Sequence, residues 1–280
     1  MIISVASGKG GTGKTTVAVN LALSLENIQF LDCDVEEPNA HLFLKPKIEK
    51  IEPVAIPVPE VDESKCNFCG KCAQVCEYHA IACLPKEVLI FEELCHGCGG
   101  CTMVCPQKAI TEKHRETGVV RVGKTNGIEF ADGILNPGEP MSPPVIRKVK
   151  KKIKKDKVTI IDVPPGTSCP VVEAVRGSDF CILVTEPTPF GLNDLILAVE
   201  VLKKMKIPIG IVLNRSDIGD DEVDLYCKKQ NIPILLKIPF DREIASAYSK
   251  GVPIVERFPE YQKKFQSLFE KTRRLVWIRK

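Results

Sequence analysis

A glycine-rich octapeptide near the N-terminus has the residue types that bind the phosphates of a nucleotide. It reads Gly8-Lys-Gly-Gly-Thr-Gly-Lys-Thr15, follows the apolar run Ile2–Ala6 and opens a helical pattern. Glycines let backbone N–H groups turn inward around phosphates, and a helix N-terminus favours negative charge. In such a loop Lys14 is expected to reach the β- and γ-phosphates of ATP, and Thr15 to bind Mg²⁺. The predicted phosphate-binding residues are Gly8, Gly10, Gly11, Thr12, Gly13, Lys14, Thr15 and Thr16.

Eight of the thirteen cysteines form two clusters with the same spacing, C-x₂-C-x₂-C-x₃-C. The second cluster repeats the first after 29 residues, and His79-Ala-Ile and Lys108-Ala-Ile follow at matching positions, which indicates an internal duplication. This spacing is typical of proteins with two [4Fe–4S] clusters, in which each fourth cysteine binds the other cluster. We therefore assign Cys66, Cys69, Cys72 and Cys105 to cluster 1, and Cys95, Cys98, Cys101 and Cys76 to cluster 2.

Zinc is the alternative metal for these cysteines. Structural zinc sites take four ligands and usually combine two well-separated pairs, whereas this sequence repeats a three-plus-one pattern, which favours iron–sulfur clusters. One position departs from the two-cluster pattern, because Cys105 is followed by Pro106 but Cys76 by Glu77. That difference bears on the shielding and potential of the cluster that Cys76 joins, and not on ligation itself.

Composition narrows the class of protein further. The 280 residues carry a formal net charge of +3, which gives no electrostatic reason to expect nucleic-acid binding. The N-terminal residues read as a strand that leads into the glycine-rich loop, so we expect no cleavable leader, and no apolar run is long enough to predict a membrane span. We expect a cytoplasmic protein without membrane association, in which the cysteines serve metal or redox chemistry rather than disulfides.

Short, uniformly apolar runs alternate with helical patterns along most of the chain, which predicts a doubly wound α/β fold with a mostly parallel sheet. The stretch 62–116 breaks this rhythm and is predicted to be a small inserted ferredoxin-like α+β module. The ATPase domain would then comprise residues 1–61 and 117–280. The predicted strands are Ile2–Ala6, Ile28–Asp34, Val158–Val163, Phe180–Thr185, Ile209–Asn214 and Ile234–Ile238. The predicted helices are Lys14–Leu25, Leu192–Met205, Asp220–Lys229, Ile244–Lys250 and Pro259–Leu275.

Outside the insertion the chain resembles the MinD/ParA/Mrp superfamily of P-loop ATPases, whose loop reads K-G-G-x-G-K-[ST]. The resemblance implies that Lys9 crosses to the nucleotide of a second subunit, and hence a homodimer. Asp32-Cys-Asp34 resembles the first switch region, which implies that Asp34 orients or deprotonates the attacking water. Asp162-Val-Pro-Pro-Gly resembles the second, with Asp162 near Mg²⁺. The adenine-contacting positions implied by the family are Asn214, Pro239 and Asp241.

The resemblance leaves three classes of function open for a protein with ATP, Mg²⁺ and two [4Fe–4S] clusters. The first is an ATPase of iron–sulfur or metallocofactor assembly, whose hydrolysis is expected to be stimulated by a partner. The second is an ATP-gated electron donor resembling the nitrogenase iron protein. The third is a positioning ATPase like MinD or ParA. The first two imply an acceptor protein for the clusters or for their electrons.

Other residues are assigned structural roles. Cys33 and Cys181 lie within apolar strands and are expected in the core, and Cys169 lacks the second cysteine that a dimer-bridging cluster needs. Ile146, Val149 and Ile153 have helical spacing within the basic run 147–155, which predicts a solvated helix face rather than a nucleic-acid patch. The C-terminal helix is expected to pack on the sheet rather than to anchor a membrane.

Overall fold

The apolar runs of the sequence form the centre of a large sheet. The computed structural model of the protein describes residues 1–277. Among these residues the strands are β1 (Ile2–Ala6), β2 (Ile28–Asp32), β3 (Lys47–Val61), β4 (Ile81–Leu84), β5 (Glu87–Ile90), β6 (Ile110–Thr125), β7 (Ile128–Leu135), β8 (Val158–Asp162), β9 (Phe180–Thr185), β10 (Ile209–Asn214) and β11 (Ile234–Ile238). The helices are α1 (Lys14–Leu23), α2 (Ala40–Leu44), α3 (Lys71–Val75), α4 (Gly100–Val104), α5 (Pro143–Lys150), α6 (Cys169–Val175), α7 (Pro189–Lys204), α8 (Glu222–Lys229), α9 (Arg242–Ser249), α10 (Ile254–Arg257) and α11 (Glu260–Trp277).

Nine of these strands form one sheet within residues 1–277, in the order β11-β10-β9-β1-β8-β2-β7-β6-β3. The seven strands from β11 to β7 pair in parallel, with β1 between β8 and β9 at its centre. Their side chains are almost wholly buried, as expected for parallel strands covered by helices on both faces. The predicted α/β fold with a mostly parallel sheet is confirmed.

The structure divides into two compact units. The first comprises Met1–Ile51, Val120–Ile134 and the residues from Ile146 onward. Its apolar core joins the sheet to α1 and α11, and Phe265 and Leu268 of α11 are fully buried there. The predicted packing of the C-terminal helix is therefore confirmed. No helix among residues 1–277 is both long and apolar enough to span a membrane.

Three strands of the large sheet, β3, β6 and β7, were not among the predicted ones. Strand β3 contains three prolines, which are unusual in strands and hid it from the sequence-based prediction. It forms an edge of the sheet. Edge strands tolerate proline because one row of their backbone N–H groups has no partner. Strands β6 and β7 are joined by Asn126-Gly127, both with positive φ, the conformation of a two-residue hairpin turn.

Helix α5 is shorter than the basic run predicted. Ile146 and Val149 are fully buried, as their helical spacing implied, but the helix ends at Lys150 and a turn follows. Ile153 lies beyond that turn and is half-buried. The buried positions of Cys33 and Cys181 agree with the roles predicted for them.

The second unit comprises Glu52–Val119 and Leu135–Val145, and the predicted insertion 62–116 lies within it. It contains two equivalent halves, with α3 and α4 starting and ending 29 residues apart and packed against each other. The backbone also repeats. Positive φ angles occur at Phe68, Gly70 and His79, and again at Gly97, Gly99 and Lys108. The internal duplication seen in the sequence is therefore also present in the structure.

Candidate functional site

The glycine-rich loop connects β1 to α1, as the motif requires. Gly8 is obligatory because a Cβ placed there would lie 2.3 Å from the carbonyl oxygen of Asp194. Gly13 has a φ of 91°, and a Cβ there would lie 2.5 Å from Nδ2 of Asn214. That amide donates a hydrogen bond of 2.8 Å to the carbonyl of Thr12. Asn214 therefore fixes the phosphate-binding loop from the end of β10, a role that the sequence did not indicate.

A cavity of about 310 Å³ opens at this loop, at the carboxyl ends of the parallel strands. This is the edge at which doubly wound sheets bind ligands. The predicted residues that line it are Gly10, Gly11, Gly13, Lys14, Thr15, Thr16, Asp34, Asn214, Pro239 and Asp241. The predicted residues Gly8, Lys9, Thr12 and Asp162 are not among its lining residues.

Several lining residues were missed by the sequence analysis. Phe240 and Arg215 each follow a predicted site residue directly, and Ile244 and Tyr248 share one face of α9. Asp241 caps α9 by accepting a hydrogen bond of 2.7 Å from the N–H of Glu243. The spacing of Ile244 and Tyr248 was the available signal, because residues four apart on a helix lie on one side of it.

Lys14 joins the phosphate-binding loop to both switch aspartates. Its ammonium lies 2.8 Å from Oδ1 of Asp162 and 3.3 Å from Oδ2 of Asp34. Burial alone lowers the pKa of Lys14, but the carboxylates of Asp162 and Asp34 outweigh burial and raise that pKa above its ordinary value. The lysine therefore stays charged, and it brings together three side chains that are far apart in the sequence.

Burial raises the pKa of Asp34, and the nearby Asp162 carboxylate adds to that rise, while Lys14 opposes it. A carboxyl with a raised pKa accepts protons more readily, which suits a general base. Asp162 is fully buried, and within residues 1–277 its Oδ2 has no hydrogen-bond partner. A buried carboxylate oxygen without a partner fits a site for Mg²⁺, which prefers oxygen ligands.

Asp32 organises the first switch region from the end of β2. Its two carboxyl oxygens accept hydrogen bonds from the N–H groups of Asp34, at 3.0 Å, and Ala40, at 3.1 Å. Asp32 is fully buried, and burial together with the neighbouring Asp162 raises its pKa well above the ordinary value. The conformation of the segment that carries Asp34 therefore depends on this carboxyl.

The predicted intersubunit lysine, Lys9, points away from the Lys14 network. Its ammonium lies 3.9 Å from Oε2 of Glu186, and about a third of its side chain is exposed. Glu186 also faces the guanidinium of Arg215 at 2.9 Å. Lys9 therefore faces Glu186, whereas Lys14 faces Asp34 and Asp162.

The eight predicted cluster ligands lie together in the second unit, where they line two cavities. One is lined by Cys66, Cys69, Cys72 and Cys105, and the other by Cys76, Cys95, Cys98 and Cys101. These are the two sets assigned from the spacing. Within residues 1–277, no group of three or more His, Cys, Asp or Glu side chains is placed to hold a single metal ion.

The hydrogen bonds of the cysteine sulfurs repeat in both halves. The N–H groups of Phe68 and Gly97 donate to Sγ of Cys66 and Cys95, each at 3.4 Å. The N–H groups of Ala80 and Ala109 donate to Sγ of Cys76 and Cys105, each at 3.3 Å. Donors to sulfur stabilise the thiolate, which is the form that binds metal. Each cavity therefore has the four thiols of its assigned set, two of which have such a donor, and this set fits the ligation of a [4Fe–4S] cluster.

Comparisons with known proteins agree with the fold and the loop. A protein of Methanocaldococcus jannaschii of uncharacterized function is 33% identical over 99% of this chain and 98% of its own. The iron-sulfur cluster carrier protein of Pyrococcus abyssi is 27% identical over 90% of this chain and 78% of its own. The solved structure of the septum site-determining protein MinD from Pyrococcus horikoshii, a complex with Mg-ADP, has a TM-score of 0.62 at 22% identity and covers 100% of this chain and 98% of its own. The model of the CobQ/CobB/MinD/ParA nucleotide binding domain matches residues 3–254. The chain thus belongs to the CobQ/CobB/MinD/ParA family of nucleotide-binding domains and has the fold of MinD-like P-loop ATPases.

Proposed function

We propose that this protein hydrolyses MgATP and carries two resident [4Fe–4S] clusters through which it passes electrons to an acceptor protein. The observation that carries the hydrolytic part is the contact of Lys14 with Asp34 and Asp162 beside the phosphate-binding loop. The repeated N–H···S hydrogen bonds support the clusters. In this proposal residues 62–116 form an inserted ferredoxin-like module within an ATPase domain.

The proposal gives the predicted site residues separate parts in the hydrolysis. Backbone N–H groups of the loop and the Lys14 ammonium bind the β- and γ-phosphates, so that Lys14 leaves the carboxylates when ATP enters. Thr15 and the Asp162 oxygen that has no hydrogen-bond partner within residues 1–277 would hold Mg²⁺. Asp34 then accepts a proton from the attacking water. Asn214, Pro239 and Asp241 border the adenine.

Lys9 completes the site of a second subunit. Its side chain is partly exposed and does not border the cavity of its own chain, so a homodimer with two shared nucleotides would give it a function. We expect ATP, and not ADP, to double the mass in solution measured by light scattering. Lys9→Ala should stay monomeric with ATP while still binding the nucleotide. A wild-type mass that does not depend on the nucleotide would contradict the shared site.

Residence of the clusters follows from how the ligands are held. Cys72, Cys95 and Cys101 are buried, and in each set two sulfurs accept a hydrogen bond from a backbone N–H group of the module. A cluster bound by four thiolates supplies one-electron transfer when present. A cluster destined for transfer would need more accessible ligands, which favours electron transfer over donation of the cluster itself.

One experiment separates these two uses. The holo-protein, purified without oxygen, is mixed with ATP and a cluster-free acceptor, and iron and sulfide are measured on both proteins afterwards. We expect iron and sulfide to stay on this protein. In a parallel sample whose clusters have first been reduced with dithionite, and the excess removed, we expect the clusters to pass their electrons to a one-electron acceptor dye faster during ATP turnover than with ADP. Movement of iron and sulfide into the acceptor would refute resident clusters.

Assembly of iron–sulfur or metallocofactor sites is the second candidate. It is supported by the 27% identity with the iron-sulfur cluster carrier protein of Pyrococcus abyssi. Cys69 and Cys98 are also exposed, which leaves one ligand of each set open to an acceptor. The experiment above decides between the two candidates because it follows the iron and the electrons separately.

A further inference from the structure

We propose that Cys83 is a reserve ligand of cluster 1, able to replace Cys69 on the iron that Cys69 binds. This inference rests on the proposed function, because it assumes that the cluster is present. Among residues 1–277, five cysteines line the cavity assigned to cluster 1, and Cys83 is the one that the C-x₂-C-x₂-C-x₃-C pattern leaves over. A [4Fe–4S] cluster takes four thiolates, so one thiol in this cavity is in excess.

Strand geometry turns Cys83 toward the cavity. It lies on β4 two residues after Ile81, so both side chains project from the same face of the strand. Across the β4–β5 hairpin it pairs with Val88, and both Ile81 and Val88 are buried. Cys83 is packed with this apolar cluster and is itself partly accessible. The face of the hairpin that packs on this cluster therefore places the Cys83 thiol at the cavity assigned to cluster 1.

The thiol of Cys83 also contacts the turn that carries Cys69. Its Sγ donates to the carbonyl of Phe68 at 3.5 Å, and Phe68 precedes Cys69 in the chain. Cys69 is exposed, whereas Cys72 of the same set is buried. Exposure makes Cys69 the ligand most open to oxidation, and Cys83 is the thiol held next to its turn.

The duplication supplies an internal comparison. The position equivalent to Cys83 in the second half, 29 residues later, is Glu112, and Glu112 lines the cavity of cluster 2. Cys98 is the exposed ligand there, equivalent to Cys69. The two cavities therefore differ in this respect, because cluster 1 has a spare thiol where cluster 2 has a carboxylate. Thiolate is the softer ligand and the one that iron–sulfur clusters take.

The exchange needs no oxidant or reductant. Cys83 gives up its thiol proton and forms an iron–sulfur bond, while the bond from Cys69 to the same iron breaks and the released thiolate takes up a proton. The number of thiolates on the cluster and the oxidation state of its irons stay the same. When Cys69 has been oxidised or removed, Cys83 would instead displace the water or hydroxide on the open iron, its thiol proton would leave with that ligand or to solvent, and four-fold thiolate ligation would be restored.

The test compares Cys69→Ala with its equivalent, Cys98→Ala, in the full-length protein reconstituted with iron and sulfide without oxygen. We expect Cys69→Ala to keep the iron and sulfide of two four-iron clusters and to show no EPR signal of an oxidised three-iron cluster. Cys98→Ala should lose iron and show that signal. The double variant C69A/C83A should behave like Cys98→Ala. ATP binding, measured on each variant, shows that the nucleotide-binding unit is folded.

Three results would overturn the inference. Equal loss of iron from Cys69→Ala and Cys98→Ala would show that cluster 1 has no replacement ligand that cluster 2 lacks. Full iron in C69A/C83A would show that another group, and not Cys83, replaces Cys69. A wild-type protein that takes up no cluster would refute the proposed function itself, and this inference with it. The third result is distinguishable from the first two because it appears without any substitution.

Discussion

Replacing Lys14 with methionine removes the cation that faces two carboxylates of the first unit. Lys14 has 7% of its side chain exposed, Asp162 none and Asp34 13%, and the ammonium lies 2.8 and 3.3 Å from them. Removing one partner of a buried ion pair costs about 3–5 kcal/mol, because the other charge stays buried without compensation. Since one cation serves both carboxylates here, we expect Lys14→Met to lower the free energy of unfolding by about 4 kcal/mol at neutral pH.

The loss should depend on pH with a definite sign. Without Lys14, the pKa of Asp34, already raised by burial, rises further. The native state of the variant then binds more protons than its unfolded state, so the stability of the variant falls as the pH rises from about 5 to about 7. The stability difference between Lys14→Met and the wild type should therefore be larger at about pH 7 than at about pH 5.

Urea unfolding of the nucleotide-free protein, followed by circular dichroism at several pH values, measures this difference. Lys150→Met is the matched control, because the half-buried Lys150 donates to the backbone carbonyls of Glu173 and Arg176 rather than to carboxylates. Its loss should not change between about pH 5 and 7. A loss below about 1 kcal/mol for Lys14→Met, or the same loss at both pH values, would refute the electrostatic reasoning.

Three further predictions concern the nucleotide site. Asp34→Asn should lower kcat for ATP hydrolysis by about 10²–10⁴-fold, the range for loss of a general base, with ATP affinity unchanged; an unchanged kcat would exclude that role. In the wild type, kcat should fall with decreasing pH through a value above the ordinary 3.8 of an aspartate, since burial raises the pKa of Asp34; a midpoint below 3.8 in the pH–rate profile would contradict this. Gly13→Ala should weaken ATP binding at least about tenfold in calorimetry, because its positive φ costs roughly 1–2 kcal/mol and its Cβ displaces the amide of Asn214. Gly177→Ala is the control, because Gly177 has a similar φ but open space around an added Cβ, so this variant should lose stability without losing ATP affinity. An equal loss of ATP affinity in Gly177→Ala would show that backbone strain, and not displacement of the Asn214 amide, explains the effect of Gly13→Ala.

The sequence was sufficient for the parts of the fold that repeat a strong local pattern. Strands β1, β9, β10 and β11 begin and end where the apolar runs do, since a buried parallel strand must be apolar on both faces. The phosphate-binding loop was predictable because the turn itself requires glycines at fixed positions. The duplicated cysteines were predictable because two equal halves leave the same spacing twice.

What the sequence did not reveal depends on contacts between distant residues. The hydrogen bond from Asn214 to Thr12 joins positions 202 residues apart, so no local sequence pattern predicts it. The contact of Lys14 with Asp162 joins positions 148 residues apart. Cys83 had no place in the sequence pattern, and the register of the β4–β5 hairpin brings it to the other cysteines. The Asn126-Gly127 turn, by contrast, was a local signal for β6 and β7 that could have been used.

The prolines of β3 have a consequence for how the chain behaves at high concentration. An edge strand with free backbone N–H groups can recruit a strand from a neighbouring molecule and so begin an aggregate. In β3, Pro53, Pro57 and Pro59 remove three such donors, while Val54, Ile56 and Val58 between them remain buried. The strand therefore stays packed in its own sheet but offers an incomplete set of backbone donors to a strand of another molecule. The prolines that made β3 hard to recognise in the sequence thus also oppose intermolecular strand pairing at this edge of the sheet.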